Sequence, residues 1–370
     1  MTMPRPAIPV VVHRPSVVLP DHVVKQEEII SILSEHFAGV PDLDRGVDLM
    51  RHSGVRTRHF VVPLERLLAE PFGARNARYA VEAVRLGAEA ARQALAAAEI
   101  TAQEIDYLIV VSSTGYMLPG PDAYIAQELG CRPDVRRLPI QQLGCAAGAA
   151  ALAEAFHFLQ AHPDATVLTV AVELSSLNCQ PAHHSLSDFI SNGIFGDAAA
   201  ATVVRGRAPA TPGFQIVDSR QWLLPGTQEV IAGQTSENGL HFRTDPRVRR
   251  TATQAIPHLR AFLHEHGISG DQLGFCISHT GGPRIMDTVE HGLGLIPGTL
   301  EPSRDSMREI GNTASVSVFD VLRRHHDIYR PVRHAPGLMV AFGPGFTTEA
   351  LLGRWWNTHD DRRSPERRRR

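Results

Sequence analysis

The chain has 370 residues, of which 43% are hydrophobic, 21% are charged and 6% are aromatic. This is the composition of a globular protein that buries a large core, and it excludes disordered and collagen-like chains. Lysine and arginine total 37 and aspartate and glutamate total 39, so the formal net charge is −2. Such a balance gives no global attraction to nucleic acid or to an anionic membrane, and we expect neither as a partner.

Four cysteines in a chain of this length do not form a disulfide framework, and no two of them make a C-x-x-C pair. The N-terminus lacks a long apolar secretory segment, and no apolar run approaches the ~20 residues of a membrane-spanning helix. We therefore expect a cytoplasmic protein with free thiols. Each thiol is then either core filler or a nucleophile.

Helices and strands alternate in the first half of the sequence. The patterns predict helices over 21–40, 76–99, 121–129 and 145–161, and strands over 107–113 and 165–173. Asn76 is a candidate N-cap for the second helix. Both strands are short, continuous apolar runs, which is typical of strands buried on both faces of a sheet. The alternation indicates a layered α/β fold.

The second half repeats this order, with a strand predicted over 274–278, a helix over 312–326 and a strand over 337–342. The string VSSTG at 111–115 corresponds to ISHTG at 277–281, and LGC at 143–145 corresponds to IGN at 310–312.

The spacing of these strings agrees between the halves. Ser113 and Cys145 are 32 residues apart, and His279 and Asn312 are 33 apart. A repeat of this kind predicts two similar units packed against each other, here residues 1–215 and 216–370. At the end of the second unit, the Arg-rich run 360–370 is expected to be a disordered tail, with a polyanion-binding arm as the alternative.

Cys145 is the best candidate for a nucleophile. Gly144 before it permits a sharp turn between a strand and a helix. A thiol at a helix N-terminus lies at the positive end of the helix dipole, which is expected to lower its pKa. The alternative is a small buried core cysteine, which is also the expected role of Cys131, Cys179 and Cys276.

His279 and Asn312 occupy the corresponding corners of the second half. His279 follows a predicted strand and precedes a Gly-Gly-Pro turn, and Asn312 begins a predicted helix, where it would also serve as an N-cap. Packing of the halves about a pseudo-twofold axis would place both beside Cys145 and Ser113. Cysteine, histidine and an amide supply a nucleophile, a base and an oxyanion donor. No pattern in the sequence indicates a metal or dinucleotide site.

Taken together, these strings resemble the type III polyketide synthases, the chalcone synthase family. The strings that carry the resemblance are QQLGCAAG at 141–148, IFGD at 194–197, GLHF at 239–242, SHTGGPRIMD at 278–287, GNTAS at 311–315 and AFGPGFTTE at 341–349. The resemblance implies a duplicated thiolase-like α/β fold in α-β-α-β-α layers, and a homodimer. It also implies a catalytic triad of Cys145, His279 and Asn312.

Further roles follow from the resemblance. Phe195 and Phe242 match gatekeepers between a CoA tunnel and a cavity, and Leu118 matches the residue that reaches into the partner's cavity. The family's cavity-lining positions fall on Ser113, Ser175, Asn178 and Ala314. The candidates for holding CoA are Arg51, Arg56 and Arg58.

The activity implied by the resemblance is that of an acyltransferase. It loads an acyl-CoA starter on Cys145, extends it by decarboxylative condensation with malonyl-CoA, and cyclises the chain to a pyrone, resorcinol or naphthol. CoA thioesters are substrates, and no cofactor or metal is needed. SSLNCQP at 175–181 resembles bacterial members that make tetrahydroxynaphthalene or alkyl pyrones. Several of these carry cysteine at the position of Ser113, so the starter stays open.

Two other functions fit part of the sequence. A β-ketoacyl carrier-protein synthase of the initiating kind shares the fold and a Cys–His–Asn set, but HTGGP and FGPG favour the polyketide synthase. A non-catalytic thiolase-like acyl binder would have no need of Cys145, His279 and Asn312 together.

Overall fold

A computed structural model describes residues 8–179, 189, 193–207, 211–236 and 239–357. The Arg-rich run 360–370, for which we expect a disordered tail, lies outside the described residues. Within them, ten strands form one mixed sheet that is covered by helices. No helix in this part of the chain is long and apolar enough to cross a membrane.

The strands and helices alternate along much of the chain. The strands are β1 (Val10–Val12), β2 (Ser16–Val18), β3 (His22–Lys25), β4 (Thr57–Phe60), β5 (Tyr107–Val111), β6 (Arg136–Ile140), β7 (Thr166–Leu174), β8 (Asp197–Gly206), β9 (Gly213–Leu223), β10 (Ile231–Ser236), β11 (Gly239–Thr244), β12 (Phe275–Ser278), β13 (Pro336–Gly343) and β14 (Thr347–Trp356). The helices are α1 (Gln26–His36), α2 (Leu43–Arg51), α3 (Leu64–Ala69), α4 (Phe72–Ala97), α5 (Pro121–Leu129), α6 (Ala147–Ala161), α7 (Val248–Glu265), α8 (Pro283–Leu293), α9 (Glu301–Ile310) and α10 (Ser317–Arg324).

The main sheet contains a four-strand pairing order twice, as β5-β7-β8-β1 and as β12-β13-β14-β9, with β6 as an additional edge strand in the first half. In the first half, β6, β5 and β7 are parallel, and β8 and β1 follow as antiparallel neighbours. In the second half, β12 and β13 are parallel, and β14 and β9 follow as antiparallel neighbours. β1 also pairs with β9, which joins the halves. The fold is therefore the expected duplicated α/β arrangement. The predicted boundary between the two units, after residue 215, falls within β9 and stays a prediction.

Three apolar cores separate the layers. On β5, Leu108 and Val110 face a core shared with α4, while Ile109 and Val111 face a central core shared with α6 and α10. Alternate residues of β13 likewise face the central core or a third core under α7 and α8. The strands are thus buried on both faces, as expected. Helices α6 and α10 lie in the central core, where they pack against strands of both halves.

Three predicted helices differ at their N-termini. Residues 22–25 form β3 rather than helix, because Val23 and Val24 pair with β4, and α1 begins at Gln26. Helix α4 begins at Phe72, so Asn76 lies inside it and is not its cap. The helix expected from Asn312 begins only at Ser317, after an isolated bridge and a 3-10 turn.

Candidate active site

A cavity lies where the carboxyl ends of β5 and β7 meet the turn that carries Cys145. It encloses about 980 Å³, its open mouth included. Seven of the residues singled out in the sequence line it: Ser113, Cys145, Ser175, Asn178, Phe195, Phe242 and Ala314. Cys179 borders the cavity as well, although its side chain is buried in the core beneath it, as expected for core filler.

The turn at Cys145 has the sharp geometry expected from the sequence. Cys145 lies in a 3-10 turn, Gly144–Ala146, directly before α6. Gly144 has φ of 50°, and a Cβ there would lie 2.9 Å from a ring carbon of Pro344. Glycine is therefore required at this position for both its conformation and its size.

The pKa of Cys145 differs from the expectation of a lowered value. Burial raises the pKa of Cys145 to about 12, and the charge of Glu173 acts in the same direction. The thiol's own backbone N–H and the side chain of Asn312 act against this rise, because hydrogen bonds to sulfur stabilise the thiolate. The position of Cys145 at a helix N-terminus therefore does not by itself predict the pKa of its thiol.

Asn312 presents its amide to Cys145 as a donor. Its backbone forms a parallel bridge with Phe195. The Asn312 N–H donates to the Ile194 carbonyl at 2.9 Å, and the Asn312 carbonyl accepts the Gly196 N–H at 3.0 Å. Its side-chain Oδ1 accepts the N–H of Ala314 at 2.9 Å. The amide nitrogen Nδ2 is left to donate to the sulfur of Cys145.

His279 is buried directly after β12. Its Nδ1 accepts the backbone N–H of Phe342 at 3.4 Å, so the neutral ring carries its proton on Nε2. Burial lowers the pKa of His279 to about 4, which keeps the ring neutral at physiological pH. A Cβ at Gly281 would lie 2.4 Å from Nε2, and this close approach explains the first glycine of the Gly-Gly-Pro turn.

The end of β13 contacts both His279 and the Cys145 turn. Phe342 packs on the ring of His279, with ring centroids 5.6 Å apart. A Cβ at Gly343, the next residue, would lie 2.5 Å from the carbonyl oxygen of Leu143, just before the turn. One strand end therefore positions the histidine and the cysteine turn relative to each other.

Glu173 was not singled out by the sequence. It is fully buried near the end of β7 and accepts hydrogen bonds from the Ser113 N–H at 3.0 Å and from the hydroxyls of Ser113 and Ser315 at 3.1 and 2.5 Å. Burial raises its pKa. The carboxyl thus links the β5 end to the turn after Asn312. Its one sequence signal is an acid in an otherwise apolar strand, ATVLTVAVE.

Leu118 does not line the cavity of its own chain. It is 85% exposed, at the tip of a loop that is held firmly at its base. The Asn76 side chain donates to the Tyr116 carbonyl at 2.8 Å and accepts the Tyr116 N–H at 2.9 Å. Gly115 packs against the ring of Tyr79, where a Cβ would lie 2.1 Å away. Asn76 therefore clamps this loop instead of capping α4.

Arg58 lies in the interior, and this position does not support the expectation that it binds CoA. Its side chain is fully buried and donates to the Phe195 carbonyl at 2.9 Å and to Gln26 at 3.1 Å. A guanidinium enclosed by protein cannot reach a phosphate at the surface. Its contacts instead hold the segment that carries Phe195.

Arg51 and Arg56 are exposed and line a separate surface pocket. Lys25 and Glu27 also line it, and Glu27 pairs with Arg51 at 3.2 Å. The pocket thus has three cationic side chains and one acidic side chain. Elsewhere, the described residues contain no group of three or more histidine, cysteine or acidic side chains arranged to hold a metal ion.

Comparison with known proteins agrees with the duplicated thiolase-like fold. Family models for the N-terminal and C-terminal domains of chalcone and stilbene synthases match residues 16–209 and 215–355. The crystal structure of the tetrahydroxynaphthalene synthase of Streptomyces coelicolor A3(2), a bacterial type III polyketide synthase, matches with a TM-score of 0.90 and 39% identity. The match covers 94% of this chain and 99% of that one.

Curated relatives match over nearly the whole chain. A 1,3,6,8-tetrahydroxynaphthalene synthase of Streptomyces griseus is 41% identical over 343 residues, 92% of both chains. A phloroglucinol synthase of Pseudomonas fluorescens is 36% identical over 346 residues, 92% of this chain and 98% of that one. The chain belongs to the chalcone and stilbene synthase family and is a type III polyketide synthase. The carrier-protein synthase and the non-catalytic binder are left without support.

Proposed function

We propose that this enzyme joins malonyl-CoA units on Cys145 into a poly-β-keto chain and closes it to a naphthol- or resorcinol-type ring. The observation that carries the proposal is the cavity in which Cys145 is hydrogen-bonded by the Asn312 amide. Relatives named for tetrahydroxynaphthalene and phloroglucinol support aromatic closure over a pyrone.

In the loading step, Cys145 takes an acyl group from a CoA thioester. Its sulfur attacks the thioester carbonyl, the bond from that carbon to the CoA sulfur breaks, and the acyl group remains as a Cys145 thioester. The thiol proton ends on the CoA sulfur, so CoA leaves as the free thiol. The Asn312 amide assists because its hydrogen bond stabilises the thiolate.

Extension begins with loss of CO₂ from malonyl-CoA. The electron pair of the broken carbon–carbon bond forms the enolate of acetyl-CoA, whose oxygen needs hydrogen-bond donors. The Nε2–H of neutral His279 and the amide of Asn312 are these donors, and removing one such donor typically costs about 2.7–4 kcal/mol of transition-state stabilisation.

Chain growth then regenerates the nucleophile. The enolate carbon attacks the Cys145 thioester, the carbon–sulfur bond breaks, and Cys145 leaves as a thiolate. The product is a β-ketoacyl-CoA two carbons longer, which the thiolate takes up for the next cycle. The proposed cycle uses CoA thioesters as its only substrates and needs no separate cofactor.

CoA is proposed to lie with its phosphates at the pocket lined by Arg51, Arg56 and Lys25. The excess of cationic over acidic side chains there supports binding of an anionic substrate. Arg58 is not included, because its guanidinium is enclosed by protein.

We also propose a cytoplasmic homodimer, in which Leu118 enters the cavity of the partner subunit. The support is an apolar side chain held in solvent by a clamped loop, with Tyr116 and Tyr124 also exposed nearby. Exposed apolar patches of this kind mark association surfaces. Reduced thiols and CoA thioesters fit a cytoplasmic setting.

Product masses test the proposal most directly. Malonyl-CoA alone, malonyl-CoA with a series of acyl-CoAs, and malonyl carrier protein are supplied in separate reactions, with Cys145→Ala as the control. We expect an aromatic product from malonyl-CoA in the wild type and none in the control. Exclusive use of the carrier protein, or pyrones as the sole products, would contradict the proposed function.

A further inference from the structure

Arg58, on β4, carries a charge into the interior of the protein. Burial lowers the pKa of its guanidinium to about 9, while the charge of Asp197 acts in the opposite direction. A buried charge costs free energy unless hydrogen bonds compensate for it. Two of these hydrogen bonds go to uncharged oxygens, the Phe195 carbonyl at 2.9 Å and the Gln26 side chain at 3.1 Å. The placement of this costly cation therefore points to the segment around Phe195.

Gln26 extends the contact of Arg58 with this segment. Its side chain is buried, and its amide nitrogen donates to the Gly193 carbonyl at 2.9 Å and to the Met50 carbonyl at 3.3 Å. Arg58 and Gln26 thus hold two carbonyls of one short segment, those of Gly193 and Phe195. We call residues 193–196 the Phe195 segment.

Asn312 is bound to the same segment by its backbone. Its N–H donates to the Ile194 carbonyl, and its carbonyl accepts the Gly196 N–H. The polar groups of Ile194 and Gly196 are thus directed to Asn312, while the carbonyl of Phe195 between them accepts from Arg58. The Phe195 segment therefore connects the buried guanidinium to the backbone of Asn312.

Arg58 also touches the residue that precedes Asn312. Gly311 has φ of 74°, and a Cβ there would lie 2.9 Å from Cγ of Arg58. The next residue on β4 is attached to the same stretch of chain, because the Thr57 hydroxyl donates to the Glu309 carbonyl at 2.6 Å. The backbone of Asn312 is thus held from two directions by contacts that include Arg58.

We infer that Arg58 is a positioning residue: through the Phe195 segment and Gly311, it holds the Asn312 amide where that amide donates to the enolate oxygen. The inference rests on the proposed function, in which this amide stabilises the enolate. Arg58 is enclosed by protein and does not contact the substrate. Its loss should therefore slow decarboxylation without weakening the binding of malonyl-CoA.

Arg58→Lys tests the inference, because lysine keeps the charge but lacks the forked donor that spans Phe195 and Gln26. Release of CO₂ from malonyl-CoA gives kcat and KM, and thermal unfolding gives Tm. We expect kcat to fall by up to about 10²-fold, the cost of misplacing a catalytic group by about 1 Å, with KM unchanged. Arg75→Lys is the matched control. Arg75 is also buried and donates to the Cys179 carbonyl, so its variant should lose Tm but keep kcat.

Two further readouts separate positioning from a general loss of stability. In the Asn312→Asp background, Arg58→Lys should not lower kcat further, because no amide remains to be positioned. A residue that only stabilises the fold would lower kcat by the same factor in both backgrounds. In addition, alkylation of Cys145 by iodoacetamide should shift toward higher pH in Arg58→Lys, because the hydrogen bond from Asn312 that lowers the pKa of Cys145 is weakened.

Gln26→Glu carries the test if Arg58→Lys does not fold. It keeps an oxygen that accepts from Arg58 but loses the donor to Gly193, so kcat should fall about fivefold, the size of one hydrogen bond. Wild-type kcat in the folded variant would overturn the inference, as would an equal loss in Arg75→Lys or in the Asn312→Asp background. Failure of the proposed function is a separate result, since the wild type would then release no CO₂ from malonyl-CoA.

Discussion

The two halves of the sheet share a pairing order but differ in chemistry at matching corners. In the first half, the second residue after β5, Ser113, donates its hydroxyl to the carboxylate of Glu173. In the second half, the residue after β12 is His279, whose ring accepts a backbone N–H from β13. The first half thus supplies the thiol with an acid beside it, and the second supplies neutral donors. In the proposed mechanism, the site therefore needs residues from both halves.

Removing the nucleophile should have the largest effect. Cys145→Ala leaves the cavity and both donors in place but gives no sulfur to carry the acyl group, so polyketide formation should fall below detection. Product masses after incubation with malonyl-CoA measure this. Full product from the variant would show that the first half does not supply the nucleophile.

Removing the hydrogen-bond donor of Asn312, in the second half, should have the next largest effect on activity. Asn312→Asp keeps the oxygen that accepts the Ala314 N–H but lacks the amide donor, so it separates chemistry from local structure. We expect malonyl-CoA decarboxylation to fall about 10²–10³-fold, as for an oxyanion donor. Release of acetyl-CoA measures the rate. A wild-type rate in Asn312→Asp would contradict the role of the amide.

Much of this site could be predicted from local sequence, and the failures share one cause. The strands around 107–113 and 165–173 and the candidates Cys145, His279 and Asn312 are marked by strings that are short and contiguous. Glu173 was missed because its partners Ser113 and Ser315 are distant in sequence. The strand β3 and the burial of Arg58 likewise depend on β4 and on the Phe195 segment, and no local pattern reports such contacts.

Acid pH should destabilise the second half through its buried histidines. Burial lowers the pKa of His325 to about 4 and that of His326 to about 3, against 6.5 for an unperturbed histidine. Stability from the neutral rings is therefore complete above pH 6.5 and is lost as pH falls below it, by up to about 1.4 kcal/mol per pH unit for each ring.

The measurement is denaturant unfolding between pH 7 and pH 4.5, with His325→Phe as the variant. His325 packs its ring against Phe275 and Tyr329, so an aromatic replacement suits the site. The variant should show a weaker pH dependence than the wild type. Equal slopes would exclude His325 as a source of the acid sensitivity.

Neutralising the acid of the first half should lower the pKa of Cys145. Glu173→Gln keeps the shape of the side chain but removes the charge that raises this pKa. The rate of Cys145 alkylation by iodoacetamide against pH, followed by peptide mass mapping, should shift toward lower pH. Cys131 is the internal control, since Glu173 does not contribute to its pKa shift. An upward shift at Cys145 would contradict the assigned electrostatics.

The smallest expected effect concerns the clamped loop of the first half. Asn76→Ala removes both hydrogen bonds to Tyr116, while Asn76→Asp removes only the one to the carbonyl. If Leu118 is presented to a partner subunit, the dimer dissociation constant should rise about fivefold in Asn76→Ala and less in Asn76→Asp, in line with one or two exposed hydrogen bonds. Sedimentation at several concentrations measures it, and equal constants in all three proteins would exclude the clamp.

The central claim is that Cys145, in the first half, carries the acyl group. Peptide mass mapping after brief incubation with an acyl-CoA tests this claim most directly. The wild type should carry the acyl mass on the peptide containing Cys145, and Cys145→Ala should carry none. An acyl group on Cys131, Cys179 or Cys276 with Cys145 unmodified would contradict the account.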